Sequence, residues 1–178
     1  MPLPRRVVVV GVTGSGKTTL AQNLAELLGL VHIELDAIHW GPNWTEAKPK
    51  DMLARTSAAL QADGWVVDGN YGTVRELVWG QADTVVWLNY SLPVILGRLW
   101  RRTVRRTVLR EVLWNGNVES FREQFLSTQS LFVYAVRGKV KHGRRYRSLF
   151  QDPQYQHLQM IELRSPGQTR GWLAGLTD

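Results

Sequence analysis

At 178 residues the chain suits one domain with a single substantial core, and it needs no disulfide staples to fold. It contains no cysteine, which excludes a disulfide framework, thiolate metal sites and redox chemistry through sulfur. A formal charge of +7, from 22 basic against 15 acidic residues, favours anionic partners without choosing among nucleotides, nucleic acid and membrane.

The opening MPLPRR runs straight into VVVVG, too short for a signal-peptide core or a bilayer span, so a soluble cytoplasmic protein with no membrane attachment is expected. Arg6 to Val10 is a β-branched run without alternation, as in a strand covered on both faces of a parallel sheet. Lys17 to Leu28 sets Leu20, Leu24, Leu27 and Leu28 on one helical face, with Gly29 placed to end the helix. Leu30 to Leu35 predicts a second strand ending at Asp36. Pro49 to Ala62 predicts a helix with Met52, Leu53 and Leu60 on its apolar side, and Trp65 to Val67 a third strand. Asp83 to Leu88 gives strand four, after which Ser91 and Pro93 cap and open another helix. From Val118 to about Lys141, Phe121, Phe125, Phe132 and Val136 keep a helical spacing, whereas His142 to Gln156 is polar enough for a loop. His157 to Leu163 is the last strand, before a short helix through Trp172 and Leu173. The alternation predicts an α/β domain of three layers around a parallel five-stranded sheet. No repeat, low-complexity tract or linker divides residues 1–178.

The most specific pattern is GVTGSGKT, Gly11 to Thr18, which has every fixed position of GxxxxGK[ST] and lies between a predicted strand and a predicted helix. Such a P-loop binds the phosphates of ATP. Gly11, Gly14 and Gly16 let successive N–H groups point at phosphate oxygens, Lys17 reaches the β- and γ-phosphates, and the Thr18 hydroxyl serves Mg2+. Thr13, Ser15 and Thr19 complete the expected nucleotide contacts. An NKxD segment, which gives guanine specificity in GTPases, is absent, and Asn115 to Val118 reads NGNV.

Asp36 and Asp68 fall where predicted parallel strands end, the edge at which open α/β sheets bind ligands. Asp36 would accept a proton from an acceptor hydroxyl or hydrogen-bond the acceptor, and Asp68 would hold magnesium through water. Turn-forming or capping roles are the alternative for both.

The segments GVTGSGKT, LDAIHW with GPNW, WVVDGNYG and DTVVWLNYSLP together resemble the P-loop kinases of the adenylate-kinase-like group often labelled DNA topology modulation proteins. The resemblance covers most of the chain and implies a nucleoside or nucleotide kinase fold, an acceptor region after strand two and an arginine-rich lid. It matches Asp68 to the aspartate of the adenylate kinase DGFPR segment. Here DGNYG is followed by Arg75, without the FPR of adenylate kinases, and the glycine triplet of shikimate kinases after strand three is missing.

Six arginines lie between Arg98 and Arg110, and a helical lid insertion is expected at about 100–117. Guanidinium groups there, Arg102 and Arg106 foremost, would grip phosphate oxygens and neutralise the transferring group, unless the segment is simply a solvated basic face. Trp65, Trp87 and Trp172 suit the core. Trp40, Trp44 and Tyr71 lie in predicted loops beside the two aspartates, where they would either wall an acceptor or pack their own loops. His39 is an acid–base candidate with a structural alternative. The expected acceptor contacts are Asp36, Trp40, Trp44, Asn70, Tyr71 and Arg75. The expected activity is transfer of the ATP γ-phosphoryl group, with Mg2+, to a small acceptor such as a nucleoside or nucleoside monophosphate. The alternatives are a nucleic-acid-associated P-loop ATPase, for which no DNA-binding motif speaks, and a non-catalytic ATP-binding regulator.

Overall fold

Strand β1 (Arg6–Gly11) has strand neighbours on both edges and helices over both faces, which is why four consecutive valines suit it. The computed structural model describes residues 3–109, 115 and 131–177. Strands β3 (Trp65–Asp68) and β4 (Thr84–Leu88) flank β1, and β2 (Val31–Glu34) and β5 (Gln159–Leu163) are the edges. The sheet order is β2-β3-β1-β4-β5 with every pair parallel, the arrangement of P-loop kinases. Register sets Val9 beside Asp68 and Asp68 beside Glu34, so the acidic ends of β2 and β3 lie level with the end of β1.

Alternate strand residues feed two cores. Val8, Val10, Trp65, Val67, Val85 and Trp87 pack against α3 (Pro49–Ala59) through Met52 and α4 (Arg75–Trp79) through Val78 and Trp79. Val7, Val9, Val66, Val86 and Leu88 pack against α1 (Lys17–Leu28), α5 (Leu92–Leu109) and the C-terminal helix α7 (Pro166–Ala174). Helix α6 (Leu131–Leu149) serves both, since Ala135 joins the second core and Tyr146 the first. It therefore passes over the carboxyl edge of the sheet. Gly29 ends α1 as expected, with φ +64° and the Leu30 N–H returning to Ala25 O.

Two expectations change. Leu35–His39 forms a short helix, α2, so Asp36 sits in a helical turn instead of ending a strand. His142 to Leu149 is helical instead of a loop, because Ala135, Lys139, His142, Tyr146 and Leu149 recur at three- and four-residue spacing along α6 while Arg137, Arg144 and Arg147 are exposed. Residues 100–109 continue α5 without a break. Of the expected lid, residues 110–114, 116 and 117 lie outside the described residues, as do Phe121, Phe125 and the Arg106 side chain. Among the described residues no helix is long and apolar enough to cross a membrane.

Trp65 is fully buried at the start of β3. Trp65→Ala is expected to cost about 3–5 kcal/mol of stability, the usual range for an aromatic core truncation, as measured by urea unfolding.

Candidate active site

The loop between β1 and α1 is shaped by two glycines in left-handed backbone, Gly14 at φ +78° and Gly16 at φ +91°. A β-carbon at Gly14 would stand 2.9 Å from Ile95 O and 3.1 Å from Leu99 Cβ, and one at Gly16 2.8 Å from Arg98 Nη1. The loop thus rests against α5 with no room for side chains. Ser15 N–H donates to Val12 O at 3.1 Å, and Arg98 Nη1 to Ser15 O at 2.7 Å. Helix α1 begins directly after this turn, so its unpaired first N–H groups face the loop, as anion sites require. Thr19 is exposed on α1, and Thr13 is half-buried within the loop.

Lys17 Nζ lies 3.4 Å from Val12 O. Burial pushes its pKa below the ordinary lysine value, while Asp36, Asp68 and, more weakly, Glu34 pull it up and Arg102 pushes it down. Those opposing influences describe one neighbourhood. Carboxylates of α2, β3 and β2 and a guanidinium of α5 therefore act on the Lys17 ammonium through charge.

Asp68 is almost fully buried, and each oxygen has a donor. Thr18 Oγ1 donates to Oδ2 at 2.6 Å, and His32 Nε2 stands 3.0 Å from Oδ1. Thr18 Oγ1 is also 3.4 Å from Glu34 Oε1. Hard oxygen donors at the mouth of a phosphate loop fit magnesium. Among the described residues no three histidine, aspartate or glutamate side chains gather as an all-protein cage would need. The donor set therefore suits an ion that takes most of its ligands from phosphate and water.

Beyond the phosphate loop, Tyr71 Oη donates to Asp36 Oδ1 at 2.6 Å. His39 lies between Tyr71, with ring centroids 4.5 Å apart, and Trp40 at 4.7 Å, and its Nδ1 is buried without a hydrogen-bond partner among the described residues. Trp40 in turn meets Trp44 edge-on at 5.6 Å, and Asn115 Nδ2 donates to Trp40 O. Asn70, expected at the acceptor, has its amide engaged elsewhere. Its Oδ1 accepts from Gly11 N–H at 3.2 Å and from Tyr146 Oη at 2.9 Å, and its Nδ2 donates to Gly11 O. Arg75 lines the same cavity as Tyr71 and Asn70, together with Arg145 of α6. A β-carbon at Gly72 would lie 3.2 Å from Arg75 Nη2 and 3.4 Å from Arg145 Nη2, so two guanidiniums share one small space. Among the described residues no carboxylate lies within ion-pair distance of either.

Sequence reasoning missed His32, Glu34, Arg98 and Arg145, and it missed His142, whose pKa is lowered by burial and by the nearby Lys17 and Lys141 ammonium groups. The helical spacing of α6 would have found Arg145 and His142. Arg98 heads the arginine cluster and was counted there, without a role.

Residues 7–87 match the family model described as an AAA domain. No curated protein sequence matches the chain. Among solved structures, a sugar kinase from Janibacter sp. HTCC2649, unliganded, is 20% identical with TM-score 0.53, the match covering 99% of this chain and 95% of that one. Shikimate kinase from Acinetobacter baumannii, in complex with shikimate, is 19% identical at TM-score 0.52, covering 97% and 90%. Shikimate kinase from Bacteroides thetaiotaomicron is 16% identical at TM-score 0.52, covering 98% and 97%. The chain has the P-loop kinase fold.

Asn70→Ala would strip both backbone groups of Gly11 of their side-chain partner. A stability loss of about 1–3 kcal/mol is expected in urea unfolding, with weaker ATP binding by calorimetry because the phosphate loop loses its anchor to β3.

Proposed function

We propose that the chain is an ATP-dependent kinase that moves the γ-phosphoryl group to a small acceptor held between Asp36 and the Arg75–Arg145 pair. The observation that carries this reading is the glycine-built phosphate loop, with the Thr18 hydroxyl bonded to the buried Asp68 at its mouth, at the carboxyl edge of the parallel sheet. Asp36, held by Tyr71 and acting on the Lys17 ammonium through charge, would be the acceptor's base. Transfer by placement and charge needs this convergence.

The loop N–H groups and Lys17 would hold the β- and γ-phosphates, Ser15 and Thr13 belonging to the same cradle. Magnesium, when bound, supplies positive charge to phosphate oxygens, and Thr18 and Asp68 are the residues that would hold it. Arg102 would add a guanidinium to the charge that spreads over the transferring group. Tyr71 occupies one oxygen of Asp36, which leaves the other for the acceptor. The acceptor hydroxyl oxygen would form the new bond to the γ-phosphorus, the bond to the bridging oxygen of ADP would break, and Asp36 would take the hydroxyl proton. Two guanidiniums sharing one small space, with no carboxylate at ion-pair distance among the described residues, favour an acceptor that also carries an anionic group, a carboxylate or a phosphate. A nucleoside monophosphate satisfies that pattern, as does a small hydroxy acid. Trp40 and Trp44 would close the far side of the acceptor.

Screening nucleosides, nucleotides and hydroxylated acids for acceptor-dependent ADP release identifies the substrate. With it, Asp36→Asn is expected to cut kcat by roughly a hundredfold or more for a hydroxyl acceptor, while ATP affinity by calorimetry persists. For an acceptor phosphate, which needs no base, the same change would mainly raise acceptor KM. Arg145→Ala is expected to raise acceptor KM roughly tenfold or more with ATP affinity unchanged, the loss of one charge-assisted contact. An Arg145→Ala enzyme with unaltered KM would remove the anionic requirement.

A further inference from the structure

A carboxylate as buried as Asp68, 2% exposed, holds one orientation only when both oxygens are satisfied. Thr18 occupies Oδ2 and His32 occupies Oδ1. His32 lies on edge strand β2, paired with Val66, two residues before the Glu34 that pairs with Asp68. Its imidazole therefore leans along the sheet toward the carboxyl edge to reach Asp68, and its own side chain stays 20% exposed. A histidine on an edge strand is under no packing demand to make that reach.

We propose that His32 is a positioning residue for the metal site, an inference that rests on the kinase reading above. Its ring N–H pins Oδ1, which turns Oδ2 onto the Thr18 hydroxyl proton. With that proton committed, the lone pairs of Thr18 Oγ1 are left to face the phosphates, where magnesium would be held by Thr18 and Asp68. Without the ring donor, Asp68 would rotate to satisfy the orphaned oxygen and release Thr18. His32 touches neither nucleotide nor metal. Its effect passes through Asp68 alone.

The test is a magnesium chloride titration of the ATP-bound protein by calorimetry, beside ATP affinity in EDTA and melting temperatures. It uses the wild type, His32→Phe, His32→Gln and Asp68→Asn. His32→Phe is expected to raise the magnesium concentration at half-effect about 10–100-fold, the usual cost of losing such an outer partner, and to leave ATP affinity in EDTA within about twofold. His32→Gln, whose amide nitrogen reaches about as far as Nε2, is expected to stay within about threefold of wild type. Should His32→Phe fail to fold, His32→Asn keeps a donor that falls short of Asp68 and takes its place in the comparison. Equal magnesium dependence in the Phe (or Asn) and Gln variants, with Asp68→Asn clearly shifted, would overturn the positioning role and leave the kinase reading standing. An unshifted Asp68→Asn would overturn the metal site itself, and the role of His32 with it.

Discussion

Parallel pairing of β3 with β1 and β2, which sets Asp68 beside Val9 and Glu34, fixes where the charged groups of the site can stand. A slip of one residue would turn Asp68 into the opposite core and exchange the side chains that fill the two cores, so the register is held by the same apolar contacts that stabilise the sheet. The Asn70 amide then ties the end of β1 to the loop after β3, bonding Gly11 on both its N–H and its carbonyl. Asp68 and the phosphate loop are thus fixed relative to one another before any ligand arrives. Preorganisation of this kind spares an electrostatic site the cost of rearranging during reaction.

Helix α6 connects this centre to the cavity lined by Tyr71, Arg75 and Arg145. Gly138 approaches Val12 of the phosphate loop closely enough that an added β-carbon would stand 3.6 Å from Val12 Cγ1, and Tyr146 bonds Asn70, the anchor of Gly11. Lys139 reaches Asn89, which bonds Glu162, and Arg164 completes that chain at 2.8 Å on β5's far end. Glu162 is held below the usual carboxylate range, first by the Arg164 hydrogen bond and also by Asn89, against its partial burial. One helix therefore touches the ends of β1, β3 and β4, and the basic charge of the sequence is concentrated over the strand ends by α5 and α6. Anionic phosphates entering there would favour the charged form of Lys17 against the pull of its burial.

Much of this was legible in the sequence. The phosphate loop shows itself because backbone N–H groups must curl round phosphate, which demands glycines at fixed spacing. The strands show themselves because a segment covered on both faces has no polar side, and Val7 to Val10 and Trp65 to Val67 read accordingly. Asp68 was singled out because strand ends are where such sheets bind ligands, and it does end β3, bonded to Thr18 of the phosphate-loop helix. Asp36 was placed at a strand end and lies in a short helix, two residues beyond β2, where it accepts from Tyr71. What stayed hidden depends on distant pairing. His32 meets Asp68 across 36 residues and Arg98 meets Ser15 across 83, and neither local composition nor period carries that information. Helix α6 was mistaken for a loop beyond Lys141 because its outward face is densely basic, although its buried face kept the helical period throughout.

The central claim is that the phosphate loop serves transfer to a small molecule and not simple hydrolysis. ATP labelled at the γ-phosphate, incubated with the protein, magnesium and the acceptor pool, tests it most directly through the fate of the label. The account predicts label in a small organic product in step with ADP, abolished by Lys17→Ala in a protein that melts like the wild type. Label appearing only as inorganic phosphate, at a rate set by added DNA or RNA and indifferent to every small acceptor, would contradict it.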